Sequence, residues 1–292
     1  RRRLVTTMGR ANLGLPLRWA AGSRGLAHIG RLGALVVCVT AAATARAHDT
    51  WFAVRGATLP GNAVLALGTG NQFPVQESTI AAKHLQAHGC RQGSKELALT
   101  AVASTKTALL LRAQPSGKQA LTCWAQLVPF EIEIEDDKVG LYFDEINASQ
   151  ALRRTWATMQ ARGVAWKERY VKNARVEIAG NEPTMPAAAV AAPMGMDIVL
   201  DSGLQPMRPG DTLAFRVLRD GAPLTDFAIE LRGEQPTQAR WLRTDQSGRV
   251  VVQAPQAGAW VLRGTDLRLS TSDPTVWESR FVTLAFTVGA AR

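Results

Sequence analysis

Residues 209–231 read PGDTLAFRVLRDGAPLTDFAIEL and carry the clearest secondary-structure pattern of the chain. After a turn at Pro209-Gly210-Asp211, apolar side chains recur at every second position of 213–217, which is the period of a β-strand with one buried face. Asp220-Gly221 is a dipeptide typical of hairpin turns, because both residues tolerate positive φ. The alternation returns in 227–231. This stretch therefore predicts two successive β-strands separated by turns.

The chain that follows continues in the same manner. Turn-forming residues separate short apolar runs at 250–252 and 260–262. The closing strand carries on one face Val282, Leu284, Phe286 and Val288. About seven short strands at this spacing are typical of an immunoglobulin-like sandwich. We predict such a domain over residues 196–290.

The region before this domain is also rich in strand patterns. Residues 130–135, FEIEIE, alternate strictly between apolar or aromatic and acidic side chains, as a half-exposed strand does. Short apolar runs between turns predict further strands over 64–67 and 121–127. We therefore predict a β-rich N-terminal domain over residues 48–180.

One segment of this domain changes period. From Ser149 to Gly163, apolar residues recur at i, i+4 and i+7, which predicts an amphipathic helix with Ser149 as its N-cap. A second helix is predicted over 164–173, where Trp166 and Tyr170 are one turn apart. Together these helices make residues 149–173 a helical insertion.

Residues 181–195 separate the two predicted domains. They contain an alanine run surrounded by three prolines, a composition typical of an interdomain linker. The predicted fold class is mainly β, with two β-sandwich (immunoglobulin-like) domains, the first of which carries the helical insertion.

The first 47 residues differ in composition from all that follows. They hold eight of the 34 basic residues and none of the 24 acidic ones, so residues 48–292 carry 26 basic and 24 acidic side chains and a net charge of only +2. An apolar run ends at Ala45-x-Ala47, the small-residue spacing of a signal-peptidase site. We predict a signal peptide over 1–47, cleavage after Ala47 and a periplasmic protein.

The near-neutral charge after Ala47 excludes a nucleic-acid partner chosen by charge, because such binders carry a basic surface on the folded domain. No apolar run after Ala47 approaches the roughly 20 residues that cross a bilayer, so no membrane span is expected in the mature chain.

Two cysteines follow the predicted cleavage site, Cys90 and Cys123. An even pair in an oxidising compartment favours a disulfide. The alternative is two separate buried thiols.

Cleavage after Ala47 would make His48 the first residue of the mature chain. A free α-amine and the imidazole of the same residue can chelate one metal ion. Asp49 offers an oxygen ligand, and His84 and His88, spaced i and i+4, are the other histidines after the cleavage site. The sequence thus predicts a site for Ni²⁺, Co²⁺ or Cu²⁺ with His48, Asp49, His84 and His88 as ligands. The alternative is that His48 merely starts the first strand and the other two lie on the surface.

Two further residues are candidates for binding. Glu77 ends a turn-rich loop, where it can order the loop or line a pocket, and Trp51 is either an aromatic binding surface or a core residue. The chain has no Gly-x-Ser-x-Gly elbow, no Cys-x-x-Cys and no phosphate-binding loop. We therefore do not expect an enzyme.

Several motifs resemble those of a known bacterial family. They are Ala47-His48-Asp49-Thr50-Trp51, the Gly-x-x-Phe-Pro-x-x-Glu loop from Gly70 to Glu77, Trp166-Lys167-Glu168-Arg169-Tyr170, Arg208-Pro209-Gly210-Asp211 and Gly258-x-Trp260. Together they resemble the periplasmic NikM-like family, also described as a domain of unknown function, over essentially all of the chain after Ala47. The resemblance implies an exported protein with β-sandwich parts, and some family members accompany nickel or cobalt uptake.

From the residues and the resemblance together we expect a periplasmic protein that binds or delivers nickel or cobalt beside a component of a membrane metal transporter. The alternative is a structural or protein-binding β-sandwich module without a cofactor.

Overall fold

The computed structural model describes residues 48–182, 190–203 and 206–290. Over these residues the chain forms eighteen strands and two helices. The strands of the first half are β1 (Asp49–Thr58), β2 (Asn62–Gly70), β3 (Ser78–Thr79), β4 (Leu85–Gln92), β5 (Lys95–Leu97), β6 (Thr100–Ser104), β7 (Leu109–Ala113), β8 (Leu121–Leu127), β9 (Phe130–Ile134) and β10 (Trp166–Ile178). Those of the second half are β11 (Met196–Leu200), β12 (Thr212–Arg219), β13 (Ala222–Pro223), β14 (Ala228–Gly233), β15 (Ala239–Arg243), β16 (Arg249–Gln253), β17 (Gly258–Leu269) and β18 (Trp277–Val288). The helices are α1 (Asp136–Glu145) and α2 (Gln150–Gln160).

A nine-stranded sheet joins strands from both halves of the described chain. Its order is β15-β14-β17-β18-β10-β8-β4-β5, and β9 also pairs with β10. Strands from both predicted domains meet in it, because β10 pairs in parallel with β18, from Glu168 opposite Trp277 to Val176 opposite Ala285. The described residues belong to one compact unit. The sheet thus joins strands of the two predicted regions, 48–180 and 196–290, since a strand's own pattern does not reveal which strand it pairs with.

Two smaller sheets cover opposite faces of the large one. The sheet of β11, β12, β13 and β16 packs on β14, β17 and β18 around a core that includes Phe215 and Leu284. The sheet of β1, β2, β3, β6 and β7 packs on β4, β8 and β10 around a core that includes Leu65 and Ala285. Because Leu284 and Ala285 are neighbours on one strand, they point to opposite faces. The fold is thus mainly β with stacked sheets, as predicted.

The predicted hairpin at Asp220-Gly221 is also present, since β12 pairs with β13 across it. The following strand, β14, lies in the large sheet instead, so the alternating apolar residues of β12 and β14 face each other across one core.

The helical segment differs from the prediction at both ends. Helix α2 begins where predicted, and Ser149 Oγ accepts a hydrogen bond from the Leu152 amide at 3.3 Å. Helix α1, which the sequence analysis did not predict, precedes it. The second predicted helix, 164–173, is wrong: this segment is the central strand β10. Residues four positions apart, such as Trp166 and Tyr170, share a face in a strand as well as in a helix. The segment is a strand because β10 pairs with β18 on one side and with β8 on the other.

Both helices pack against the large sheet through aromatic side chains. Trp166 lies at the centre, stacked on Trp277 with ring centroids 4.9 Å apart and contacted edge-on by Trp156 at 5.2 Å. Phe143 of α1 meets the same indole at 5.5 Å. This cluster fixes the C-terminal end of α1 over the sheet.

The predicted disulfide is confirmed. Cys90 on β4 and Cys123 on β8 lie opposite each other in the ladder and are bonded, with both residues fully buried.

The predicted linker is in part anchored to the sheet. Its residues 183–189 lie outside the described residues, as does the whole predicted signal peptide, 1–47. Ala192 is buried and its amide donates to Asp197 Oδ2 at 2.8 Å, while Met194 packs with it against Trp124. Among the described residues, no helix has the length and apolarity to cross a membrane.

Candidate functional site

The start of β1, a strand of the five-stranded sheet, is buried against β10 and β18 of the large sheet. Asp49, Thr50 and Trp51 are each at most 4% exposed. Two side chains of the large sheet hold their backbone: Lys172 Nζ donates to the His48 carbonyl at 2.7 Å, and Thr283 Oγ1 donates to the Thr50 carbonyl at 2.7 Å. These contacts fix where the His48 backbone lies.

The His48 side chain is half-buried. Burial lowers the pKa of its imidazole, and the neighbouring charge of Lys172 lowers it further, although Glu77 and Glu145 act in the opposite direction. The ring is therefore neutral near pH 7, the form that binds metals. In the described part of the chain, its buried Nε2 atom has no hydrogen-bond partner.

Asp49 takes part in a buried ion group centred on Arg263. Arg263 Nη1 lies 2.6 Å from Asp49 Oδ2, and its Nε lies 2.5 Å from Glu230 Oε2. The third nitrogen donates to the Glu145 carbonyl at 3.2 Å, and the guanidinium carbon is 5.7 Å from the ring centre of Trp241. Burial alone would lower the pKa of Arg263, but the charges of Asp49 and Glu230 outweigh it and raise that pKa. The second oxygen of Asp49, Oδ1, is buried without a partner among the described residues.

A polar cavity of about 380 Å³ opens beside this ion group. Its walls carry four carboxylates and two guanidinium groups, together with two amides and an indole: Glu77, Asp144, Glu145, Glu230, Arg232, Arg263, Asn71, Gln72 and Trp241. The end of α1 contributes Asp144 and Glu145, and the loop after β2 contributes Asn71 and Glu77. Asp144 is paired with Arg153 at 2.8 Å and Glu230 with Arg232 and Arg263, so the wall keeps only a small net negative charge, which favours a cation over an anion.

Glu77 both orders its loop and lines the cavity. Its Oε2 accepts hydrogen bonds from Asn71 Nδ2 at 2.8 Å and from the Asn71 amide at 3.3 Å. Asn71 Oδ1 is buried and without a partner in the described residues. Together with Asp49 Oδ1, this leaves two acceptor oxygens around the site for a cation or a donor-rich ligand.

Trp51 lies in the core and does not present its face to a ligand. It is 2% exposed and packs edge-on against Phe73, with ring centroids 5.7 Å apart, and against Val261. Gly70 makes this possible, because a Cβ there would lie 2.8 Å from Trp51 Cη2 and 2.2 Å from the Val75 carbonyl. Trp51 is thus a core residue that supports the start of β1.

The other two histidines lie elsewhere in the fold. His84 ends a 3₁₀ turn, 82–84, and its ring meets Phe130 edge-on at 5.1 Å. His88 is exposed on β4, opposite Ala125 of β8. Within 48–182, 190–203 and 206–290, no three side chains of His, Cys, Asp or Glu are grouped to hold one metal ion. The structure therefore does not bring His48, Asp49, His84 and His88 together.

No sequence pattern predicts that Arg263, Glu230 and Lys172 belong to this site. Arg263 is 214 positions from Asp49, so no local spacing connects them. The available signal was weak: Glu230 is a charged residue between two core residues of a predicted strand, a position that here turns out to be buried.

The fold and the site together define a mainly β protein of stacked sheets with a polar, carboxylate-rich cavity beside the start of its first strand. The family model of the Domain of unknown function (DUF4198) matches residues 45–265, and the chain belongs to this family. A comparison with curated proteins finds no match.

Two solved structures are similar at a low level. One is the D0-D1 domain of Intimin, at 10% identity over 81% of this chain and 97% of that one, with a TM-score of 0.20. The other is the mouse nectin-like molecule 4 ectodomain (Ig1-Ig3), at 12% identity over 83% of this chain and 64% of that one, with a TM-score of 0.19.

Proposed function

We propose that this chain is an exported periplasmic protein that binds a divalent transition metal at His48 and serves a membrane uptake system. Cleavage after Ala47 frees the α-amine of His48, and that amine and the imidazole then bind the ion together. Nickel and cobalt are the favoured ions because of the resemblance to the NikM-like family, while copper has the higher intrinsic affinity for such nitrogen ligands.

The observation that carries this proposal is a combination: Asp49 Oδ1 is a buried carboxylate oxygen without a partner in the described chain, and the adjacent His48 imidazole lies near Glu77 and Glu145 of the cavity wall. The chelate ring with the α-amine closes through Nδ1 of that imidazole. A buried polar atom without a partner costs stability, and a bound ion or its water shell relieves that cost. The donor set of imidazole, amine and carboxylate suits a divalent transition ion.

The surroundings support the same ion. The Lys172 contact to the His48 carbonyl keeps the new terminus beside the cavity. The cavity wall keeps a small net negative charge after Arg153 pairs with Asp144, and its Glu77 and Glu145 lie near His48, which favours a divalent cation there. His84 and His88 have no part in this site.

The test is calorimetry with NiCl₂, CoCl₂ and CuCl₂ on the natively exported protein, purified without an affinity tag. Mass spectrometry first establishes that its N-terminal residue is His48. The matched control carries three additional alanines before His48, which moves the α-amine beyond the reach of a fused amine, amide and imidazole chelate and leaves the imidazole. We expect at least tenfold weaker binding in the control, because the chelate ring is lost.

Equal affinity in both proteins would remove the N-terminal chelate. Protein that carries no metal as isolated, and whose melting temperature a chelator leaves unchanged, would favour the alternative of a structural or protein-binding module.

A further inference from the structure

Arg263 already holds the carboxylate that the proposed metal site needs. Its Nη1 lies 2.6 Å from Asp49 Oδ2, and within the described residues Asp49 forms no other ion pair. The nearby Lys172 does not compete for that carboxylate, because its ammonium donates to the His48 carbonyl and lies over the rings of Tyr170 and Phe281 at 5.5 and 5.9 Å.

We propose that Arg263 is the resident counter-ion of Asp49 and that a metal ion binds by exchange with its guanidinium group. Arg263 then sets the metal affinity of the site and selects a divalent ion over a monovalent one. This inference rests on the proposed function, since it concerns the same site.

The geometry provides a start for such an exchange. Arg263 uses only one oxygen of Asp49, while Oδ1 is buried without a partner among the described residues. An ion arriving at His48 can therefore reach Oδ1 before the contact between Arg263 and Oδ2 is broken.

The geometry also provides a place for the displaced guanidinium. Arg263 Nε lies 2.5 Å from Glu230 Oε2, its Nη2 donates to the Glu145 carbonyl, and the Trp241 ring lies 5.7 Å away. These contacts do not involve Asp49, so they remain when Asp49 turns to the ion. Because they keep the guanidinium charge beside the site, a monovalent ion gains too little from Asp49 to displace it.

The charge of Arg263 must then weaken metal binding. Two like charges a few ångströms apart at a partly buried site repel strongly enough to change affinity by roughly tenfold or more. Replacing the arginine by a neutral side chain should therefore tighten binding, which is opposite to the usual effect of removing a residue from a binding site.

The experiment measures the Kd for NiCl₂ by calorimetry in the exported protein, its Arg263→Gln variant and a control, Arg219→Gln. Arg219 also forms a part-buried ion pair, with Asp266. Asp266 is three residues beyond Arg263 on β17 and so points to the other face of the sheet. We expect Arg263→Gln to bind Ni²⁺ at least tenfold more tightly and Arg219→Gln to bind within threefold of the wild type.

Equal or weaker Ni²⁺ binding by a folded Arg263→Gln variant would overturn the inference while leaving the proposed function intact. Absence of Ni²⁺ binding in the wild type and in the variant, with both folded, would instead refute the proposed function. Binding by the variant alone would overturn both, because Arg263 would then block the site permanently and no exchange would take place in the wild type.

Two further measurements keep the test decisive. In Arg263→Ala, added methylguanidinium should reverse the gain in affinity, and failure to do so would count against a counter-ion role. If Arg263→Gln does not fold, Arg263→Lys replaces it. A lysine keeps the charge but cannot bridge two carboxylates. The Arg263→Lys variant should therefore bind Ni²⁺ more tightly than the wild type, by a smaller factor than expected for Arg263→Gln. Unchanged or weaker binding by this variant would contradict the exchange.

Discussion

Two arginines of this protein each bridge two carboxylates, in different surroundings. Arg175 lies 2.7 Å from Glu177 and 2.8 Å from Asp197, and all three side chains are at most 2% exposed. Arg263 lies 2.6 Å from Asp49 and its side chain is 14% exposed, at the wall of a cavity. The same ionic arrangement therefore occurs once sealed in the fold and once at the wall of a cavity.

The comparison shows what marks a binding site here. An unpaired carboxylate oxygen does not, because in the described residues both Asp197 Oδ1 and Asp49 Oδ1 lack a partner. The Arg175 group instead fastens the chain, since its guanidinium also donates to the Val190 carbonyl and Asp197 receives the Ala192 amide. What distinguishes the Arg263 group is the adjoining cavity and the neighbouring imidazole, which allow a ligand to enter.

The largest expected effect separates the sealed group from an ordinary ion pair. Arg175→Ala leaves two carboxylates buried without their cation, so we expect a loss of about 3–5 kcal/mol in the free energy of unfolding. Arg216→Ala is the matched control, because Arg216 pairs with Asp201 while 39% exposed, and should cost less than about 1 kcal/mol. Urea denaturation measures both. A loss below 1 kcal/mol for Arg175→Ala would show that water reaches this group.

The disulfide is the second constraint on this part of the sheet. Cys123 pairs with Val176, next to Arg175, and its bond to Cys90 closes a loop with a sequence separation of 33. Replacing both cysteines by alanine should lower the free energy of unfolding by about 3–4 kcal/mol in the chain-entropy account. Denaturant midpoints with and without reductant provide the check: reductant should destabilise the wild type by a similar amount and leave the variant unchanged.

Arg263→Ala should cost less than Arg175→Ala, about 2–3 kcal/mol, because water from the cavity hydrates the carboxylates that the substitution exposes. Urea denaturation in the presence of a chelator measures this free energy without a contribution from bound metal. An equal cost for the two arginines would mean that the cavity does not admit water to Asp49 and Glu230, and the distinction between the two groups would fail.

The local sequence pattern predicted most of the strands but not which strands pair with one another. The alternation in 213–217 and the turn at Asp220-Gly221 are properties of neighbouring residues, and both are present in the structure. The parallel pairing of β10 with β18 joins residues more than 100 positions apart, and it arises only when the sheet assembles. For the same reason Trp166 and Tyr170 read equally well as helix and as strand.

The residues of the candidate site fall into the same two groups, those predicted from the local sequence and those that only the assembled sheet brings to the site. His48, Asp49 and Glu77 were predicted from residue type and local motif, and the structure places them around or beside the cavity. Arg263, Glu230 and Lys172 reach the site from distant strands, so only their positions in the sheet identify them.

The smallest expected effect concerns Lys172, which lies near the Arg263 group and forms no ion pair with a carboxylate among the described residues. Burial lowers the pKa of Lys172 to about 8, although the charge of Asp49 opposes this, whereas the unfolded chain has the ordinary value of 10.5. Between these values the unfolded chain binds more protons than the folded one, so stability rises with pH in this window, whereas below it Lys172 destabilises the fold by an amount that does not change with pH. From pH 7.5 to 9.5 we expect the wild type to gain about 1–2 kcal/mol relative to Lys172→Met, which lacks the titrating group.

Urea midpoints at the two pH values measure this gain. The range stops below pH 10 because burial raises the pKa of both Tyr142 and Tyr170, and ionised tyrosines would oppose the effect. Parallel pH profiles for the wild type and Lys172→Met would mean that Lys172 is as well hydrated as an exposed lysine. The start of β1 would then be open to water from the side of the sheet as well as from the cavity, and the buried contact between Lys172 and the His48 carbonyl would not hold the chain end at the site.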